Sequence, residues 1–461
     1  MRRAYLFTAL TLGLGLALPT APALAAGFLT DPFATGDNIK PYSPCTGAVE
    51  AGPLTLAQAV DAALCANPQT REVWANARVQ AAQLGVAEAA WLPSVNASAG
   101  SGRARTNGVE NNTRSLGLTA SWLLFDFGAR SANIENARQL FDAANASRDA
   151  TIQSVLLSTV QAFHQVQGAE ASLAAAREAE KAAEQSFRAA EARYQVGSAA
   201  PADKLQAQTA WSQSQLTRIT AEGSLKAAQG TLATVLGRDA HRPVAVVANQ
   251  QTLPPVGFER DVNALVEEAR QRRPDLLAVQ AQVKAAEAGI DAARAAHLPS
   301  LSLGFNGSDT RTGGIENRSG TLGVTLSVPL FAGFATTYKV QAAEAQRDVK
   351  AAQAEKLRLQ VAQDVWNAWQ SLMTATQSVR TTADLVASAE QSDKVARGRY
   401  AAGVGTLLEM LTAQSTLASA RQQQVQALYN WNIARATLAQ SMGVLDSNII
   451  NTATATEGSK P

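Results

Sequence analysis

Histidine and cysteine are nearly missing from this chain, which has three of the former and two of the latter in 461 residues. His164, His241 and His297 are scattered, and none stands at a metal-ligand spacing or beside a plausible nucleophile. Metal-dependent and acid–base catalysis therefore find no constellation to use. The glycines fall in turns and alternating segments rather than in a phosphate-binding loop. No enzymatic activity, cofactor or metal is expected. A surplus of one charge is missing too: 40 basic residues face 38 acidic ones. Two of the basic residues, Arg2 and Arg3, belong to the leader described next, so the remainder is balanced. A nucleic-acid binder would carry a basic surplus.

The leader is Arg2-Arg3, an apolar stretch from Ala4 to Leu18, then Pro19, Pro22 and Ala23-Leu24-Ala25. That is a secretory signal peptide with a small-residue cleavage site, and the apolar run is too short for a membrane span. The cysteines, Cys45 and Cys65, lie close together in an exported chain, so a disulfide is expected. It would pin the proline-containing stretch Asp31–Pro53 to the end of the first helix; two free thiols are the alternative, and these seldom persist in an oxidising compartment. No cysteine stands directly after the cleavage site, so no N-terminal lipid anchor is expected.

What is abundant is repetition. Ala89-Ala90-Trp91-Leu92-Pro93-Ser94 falls on Ala295-Ala296-His297-Leu298-Pro299-Ser300 at an offset of 206, the difference between Leu298 and Leu92. Leu124-Phe125 falls on Leu330-Phe331, Tyr194 on Tyr400, Leu205–Thr209 on Leu411–Ser415, and Gly237 on Gly443, all without a gap. The period is too long for a solenoid. Two like halves are what some membrane proteins show.

Within each half the hydrophobic period changes twice. Leu56, Ala59, Val60, Ala63 and Leu64 are spaced as on a helix, which Asn67-Pro68 interrupts, as Arg273-Pro274 interrupts its counterpart. After Leu92-Pro93 the period drops to two. Leu116, Leu118, Trp122 and Leu124 alternate with small or polar residues across a Gly/Asn-rich loop from Val95, Ala97 and Ala99. In the second half Leu301, Leu303 and Phe305, then Leu322, Val324 and Leu326, do the same. Segments of about ten residues, apolar on one side and polar on the other, are the pattern of an outer-membrane barrel, though a sandwich strand alternates likewise. On the barrel reading those leucines, Trp122, Phe305 and Val324 face lipid, with Trp122 in an interfacial belt.

Each pair of strands leads into a proline-free helical stretch, Ala129–Val196 or Ala335–Ala402, about 100 Å long at 1.5 Å per residue. Gly197 and Gly403 end them as C-cap residues would. A shorter helix returns, and with the helix before the strands it matches the long one in length, so two short helices should stack end to end beside each long one. Four strands cannot close a barrel, and bare edges do not occur in lipid, so two or more chains must share one. The expected organisation is a signal peptide over 1–26, an N-terminal extension over 27–53, a first repeat over 54–237, an equatorial linker over 238–260, a second repeat over 261–443 and a tail over 444–461.

The doubled unit, the Leu-Pro-Ser junctions at Leu92 and Leu298, the Leu-Phe exits at Leu124 and Leu330, and the Arg-Tyr-x-x-Gly tips at Arg193–Gly197 and Arg399–Gly403 resemble the TolC outer-membrane efflux family over residues 54–443. The resemblance implies a mainly α chain with a membrane β-barrel. Three copies would form a twelve-stranded barrel in the outer membrane of a Gram-negative cell, joined to an α-helical barrel through the periplasm. Such homotrimers work with a periplasmic adaptor and an inner-membrane pump, ABC-type or proton-driven, and none of this involves nucleic acid. It also implies a periplasmic gate: Tyr400 matches a tyrosine that ties neighbouring coils, Asp203 its acidic partner, and Glu409 one aspartate of a ring at the entrance. Gly405 and Thr412 depart from the family, standing where it has an arginine of the gating bonds and a second aspartate. Helix capping explains the same residues otherwise, since Thr406–Glu409 reads as a capping box and Asp203 sits in a first turn. Type I protein secretion is the expected role, small-molecule efflux by a tripartite pump the alternative, and a soluble periplasmic coiled-coil scaffold a third.

Overall fold

The computed structural model describes residues 33–35, 52–247 and 261–445. Eight α-helices and four strands follow one another among them: α1 (Leu56–Ala66), α2 (Pro68–Glu88), β1 (Ser94–Thr106), β2 (Val109–Phe125), α3 (Ala129–Gln195), α4 (Pro201–Val235), α5 (Val262–Arg272), α6 (Pro274–Ala295), β3 (Ser300–Thr312), β4 (Ile315–Ser327), α7 (Ala335–Ala401) and α8 (Leu407–Ser441). The two long helices have 67 residues each and the two returning helices 35 each. None of the described helices is both long and apolar enough to cross a membrane.

Prolines divide the shorter helices where the sequence places them. Asn67, before Pro68, is extended at φ −63°, ψ 128°, and Arg273, before Pro274, at φ −65°, ψ 118°. Each ends one helix and begins the next. Asn67 does so with its amide: Oδ1 accepts from Gln69 N at 2.8 Å, and Nδ2 donates to Val235 O at 3.0 Å at the far end of α4. Arg273 uses charge instead, donating from Nε and Nη2 to Asp275 at 2.9 and 2.7 Å and from Nη1 to Asp364 at 2.8 Å. Burial works against this guanidinium, but the two carboxylates outweigh it and hold its pKa above the ordinary arginine value.

The end-to-end stacking of short helices is there. α2 and α4 lie along α3, and α6 and α8 along α7. Their ends meet at an equator, where the largest apolar clusters sit: Val155, Phe163, Val166, Leu232 and Leu236 in one half, Val361, Val365, Leu372, Trp431 and Leu438 in the other. Elsewhere alanine seams suffice, because small side chains let helices approach closely. From the inter-repeat linker, residues 244–247 come back to this level, with Leu54 N donating to Ala245 O at 2.9 Å and Val247 N to Leu54 O at 3.0 Å. Cys65, on α1, is disulfide-bonded. Cys45, the chain's one other cysteine, lies outside the described residues, as does the signal peptide.

The strands form one antiparallel sheet in the order β1-β2-β3-β4. At 13, 17, 13 and 13 residues they exceed the segments of about ten expected, and much of the Gly/Asn-rich loop is strand. The reason lies in the turns. Asn107-Gly108 (φ 52° and 82°) and Gly313-Gly314 (φ 57° and 90°) are two-residue turns with both central residues left-handed, whose twist continues the strands to their tips.

At Gly237, φ is +69°, and a Cβ there would lie 2.5 Å from Ala66 O, where α4 abuts the α1–α2 junction. At Gly197 φ is +75°, but nothing lies within 4 Å. Gly197→Ala is expected to cost only the left-handed strain of about 1–2 kcal/mol, and Gly237→Ala clearly more, because backbone must also move. Thermal unfolding of the two purified variants checks the ranking; equal melting points would mean that the junction yields freely.

Candidate functional site

Two regions of this molecule could shape a passage: the tip where the long helices turn back, and the sheet at the opposite end. Both long helices close alike at the tip. Gly197 N donates to Tyr194 O at 2.9 Å and Ser198 N to Arg193 O at 2.8 Å; Gly403 N donates to Tyr400 O at 3.1 Å and Val404 N to Arg399 O at 3.0 Å. Ala190, Ala207, Leu407 and Met410 form a small buried cluster there, with Phe187, Tyr400 and Leu411 against it, so the two hairpin tips touch.

Tyr400 is half-buried in this cluster, and the Arg193 guanidinium lies over its ring, 4.4 Å from the centroid. Cation–π contacts of this kind are worth about 0.5–2 kcal/mol, more as water is excluded. The equivalent Tyr194 takes its cation from elsewhere, with Lys204 Nζ 5.6 Å from its ring centroid. Asp203 occupies the first turn of α4, and among the described residues its carboxylate has no hydrogen-bond or ion-pair partner. The chain therefore does not join Asp203 to Tyr400 within itself. Sequence reasoning quoted the Arg-Tyr-x-x-Gly motif but gave Arg193 no role; its recurrence at Arg399 was the available signal.

Glu409 is exposed at the third position of α8. Its backbone N donates to Thr406 Oγ1 at 3.2 Å, but its carboxylate does not return to the cap, and only half of the expected capping box forms. A complete box is found instead at Thr55 and Gln58. The Glu409 carboxylate lies 4.0 Å from Arg399 Nη2, with both side chains more than half exposed, so the contact contributes little. Gly405 lies beside the same arginine, donating from N to Arg399 O at 3.1 Å. The first turn of α8 thus presents a carboxylate that its own cap does not use.

At the other end, the register sorts the sheet into two chemically distinct faces, since residues directly opposed across antiparallel strands share a side. Leu118 pairs with Ala97 and Gly307, Trp122 with Leu303, Leu303 with Val324, Phe305 with Leu322, and Leu301 with Leu326. Leu116, two residues from Leu118, lies on that side as well. All nine residues read as lipid-facing therefore share one face, and a bulge at Leu123–Phe125 keeps Phe125 opposite Leu301 on it. Trp122 is 41% exposed, and its indole N–H donates to Trp91 O at 2.9 Å where helix passes into strand. Arg130 Cζ lies 3.6 Å from the centroid of the Trp91 ring beside it. The opposite face carries Asn96, Ser98, Ser115, Thr119, Ser302 and Asn306 among glycines, and no charged residue at all. Among the described residues the outer edges of β1 and β4 have no partner strand.

Comparison with known proteins agrees with this geometry. The family described as outer membrane efflux protein matches residues 59–238 and 265–444, the two halves separately. Protein CyaE of Bordetella pertussis is 33% identical over 432 residues, covering 90% of each chain. The probable efflux pump outer membrane protein TtgC of Pseudomonas putida is 26% identical, over 80% of this chain and 78% of its own. The crystal structure of the Campylobacter jejuni CmeC outer membrane channel superposes with a TM-score of 0.75 at 20% identity, over 86% of this chain and 88% of that one. A chain with this doubled fold, matched by the family in both halves and akin to CyaE along nearly its whole length, belongs to the outer membrane efflux proteins.

Proposed function

We propose that three copies of this chain assemble into one channel, with four strands each closing a twelve-stranded barrel in the outer membrane and the helices forming a tunnel across the periplasm. The bare edges of β1 and β4 support this, since β4 of one copy can pair with β1 of the next and leave no edge in lipid. The face carrying Leu116, Leu118, Trp122, Leu301, Leu303, Phe305, Leu322, Val324 and Leu326 meets lipid, and the uncharged face lines the bore. The tunnel receives its cargo from an inner-membrane pump through a periplasmic adaptor.

The cargo, on this reading, is polypeptide delivered by an ABC-type pump, as in type I secretion. The observation that carries it is the bore-facing side of the sheet. It offers hydroxyls, amides and glycines without charge, and its two-residue turns place no long loop over the mouth. Such a surface holds neither acidic nor basic segments of a passing chain. Small-molecule efflux is the second reading, favoured by the likeness to TtgC, named as an efflux pump component. Deleting the gene and restoring it separates them: export of a secreted protein should fall and recover while antibiotic and solvent tolerance stay unchanged. The reverse pattern would establish the second reading.

The tip at Gly403 is the pump-facing gate. Tyr400 and Asp203 tie neighbouring coils across copies, which accords with the Asp203 carboxylate lacking a partner among the described residues, and Arg193 braces the tyrosine ring. Glu409, repeated around the axis, lines the mouth as a ring of acids whose field attracts cations. Tyr400→Phe with Asp203→Ala should raise single-channel conductance in planar bilayers, each lost bond being worth only about 1 kcal/mol but recurring in every copy. Glu409→Ala should leave closure intact and weaken block by divalent cations. Parental conductance and parental block would together reduce these residues to helix caps.

For the lipid face, Val324→Arg should cost about 2–4 kcal/mol near the bilayer midplane, whereas Arg at neighbouring Thr325 should face water and be tolerated. Trimer yield in detergent measures both. Equal yields would mean that the alternation has been read wrongly.

A further inference from the structure

Every charged side chain of the sheet stands on the face that also carries the apolar band. Its basic members are Arg103, Arg105, Arg114, Arg311 and Arg318, its acidic ones Glu110, Asp309 and Glu316, and no lysine is among them. They occupy the rungs nearest the turns. Along β3, Arg311 lies ten residues beyond Leu301. At about 3.3 Å per residue and a tilt near 40°, that is ~25 Å along a barrel axis, the height of an outer-membrane apolar band. The arginines therefore come at headgroup depth, on the side away from the periplasmic helices.

Acids within the chain answer only part of this charge. Arg318 meets Asp309 at 3.1 Å and Glu316 at 2.6 Å, and Arg311 meets Glu316 at 3.0 Å. Arg103 donates from Nε to Asn112 Oδ1 at 3.0 Å, a neutral acceptor. Among the described residues no ion pair forms on Arg105 or Arg114. Arg114 is moreover set directly opposite Arg311 in the ladder, while Arg103, opposite Asn112, is its diagonal neighbour. Like charges directly opposed destabilise a sheet, so three guanidiniums on adjacent strands want an anion between them. Guanidinium forks match phosphate oxygens two at a time, and exclusive use of arginine suits that geometry.

We propose that this belt, centred on Arg103, Arg114 and Arg311, binds the phosphate groups of lipids in the outer leaflet and holds a ring of them around the barrel. The inference rests on the reading of this face as the lipid face. The bound phosphate would bridge Arg114 and Arg311 and relieve their repulsion, while the acyl chains lie along Leu116, Leu118 and Phe305 directly beneath.

The test uses the full-length trimer in detergent, with a diphosphorylated glucosamine-based glycolipid and its dephosphorylated form as probes, read by native mass spectrometry. The phosphorylated form should bind at least about tenfold more tightly, since each surface arginine of the belt attracts the headgroup phosphates. Arg114→Gln with Arg311→Gln should abolish that preference, and the Arg114→Lys, Arg311→Lys pair should keep part of it. Equal affinity for the two glycolipids in the parent overturns the belt even if the variants fail to assemble, and so does a preference that survives the glutamines. Displacement of the lipid by low-millimolar inorganic phosphate would also overturn it, since the site would then be one for the free ion. Quenching of Trp122 by brominated acyl chains, taken as the difference between parent and Trp122→Phe, reports the lipid face separately. Without quenching the lipid-face reading itself fails; quenching with equal affinities removes only the belt.

Discussion

A strand edge cannot be left bare in hydrocarbon, because no water is there to take its N–H and C=O groups, each costing several kcal/mol. The described residues hold four strands in one open sheet with two bare edges, and on the proposed assembly the sheet is completed only between copies. Much else answers to that constraint. Each repeat contributes one hairpin, which keeps the sheet antiparallel and its two ends complementary. A helix adjoins every strand, none of the described helices is long and apolar enough to cross a membrane, and in the proposed assembly the 67-residue α3 and α7 would give neighbouring copies a long second seam. The chain needs no thick core of its own, and alanine suffices along most of its length.

Where the short helices meet, the two halves reach one geometry by different chemistry. Gly237 sits against Ala66, and at the offset of 206 Gly443 sits against Arg272 and Arg273, with a Cβ at either meeting backbone at 2.5 or 2.9 Å. The junction residue is a neutral amide in one half and a doubly paired guanidinium in the other. Backbone closeness is common to both, so it is what the repeat preserves; the side chain that satisfies the exposed helix ends is exchangeable. The second junction is also tied to the first half, as Gln153 Nε2 donates to Gly443 O at 2.9 Å.

Charge is sorted across the sheet rather than spread over it. One face of the sheet has none, the other collects all of it near the turns, and the tip far away presents Asp203 and Glu409 free of strong pairing. In a chain whose formal charge nearly cancels, such segregation is informative where the total is not. It leaves the sheet's neutral face without charged side chains, so in the proposed channel any preference for ions would come from the helical tip.

Much of the architecture could be read in the residues. The doubled unit, the proline breaks at Asn67 and Arg273, the glycine helix ends and the two-period faces of the strands are local properties, dictated by backbone sterics and by side-chain periodicities of 3.6 and 2. Strand length was under-read, since Arg103–Arg105 and Glu110–Asn112 look like loop until tight turns carry the ladder past them. A capping box was expected at Thr406 and only half of it forms, because a reciprocal cap depends on where the Glu409 side chain turns, and Arg399 lies within its reach. Which cation braces Tyr400, which residues Gly237 and Gly443 touch, and that Arg114 stands opposite Arg311 were decided by tertiary structure alone. Each brings together residues from distant parts of the chain, and strand register and helix stagger, which no local preference fixes, set those distances.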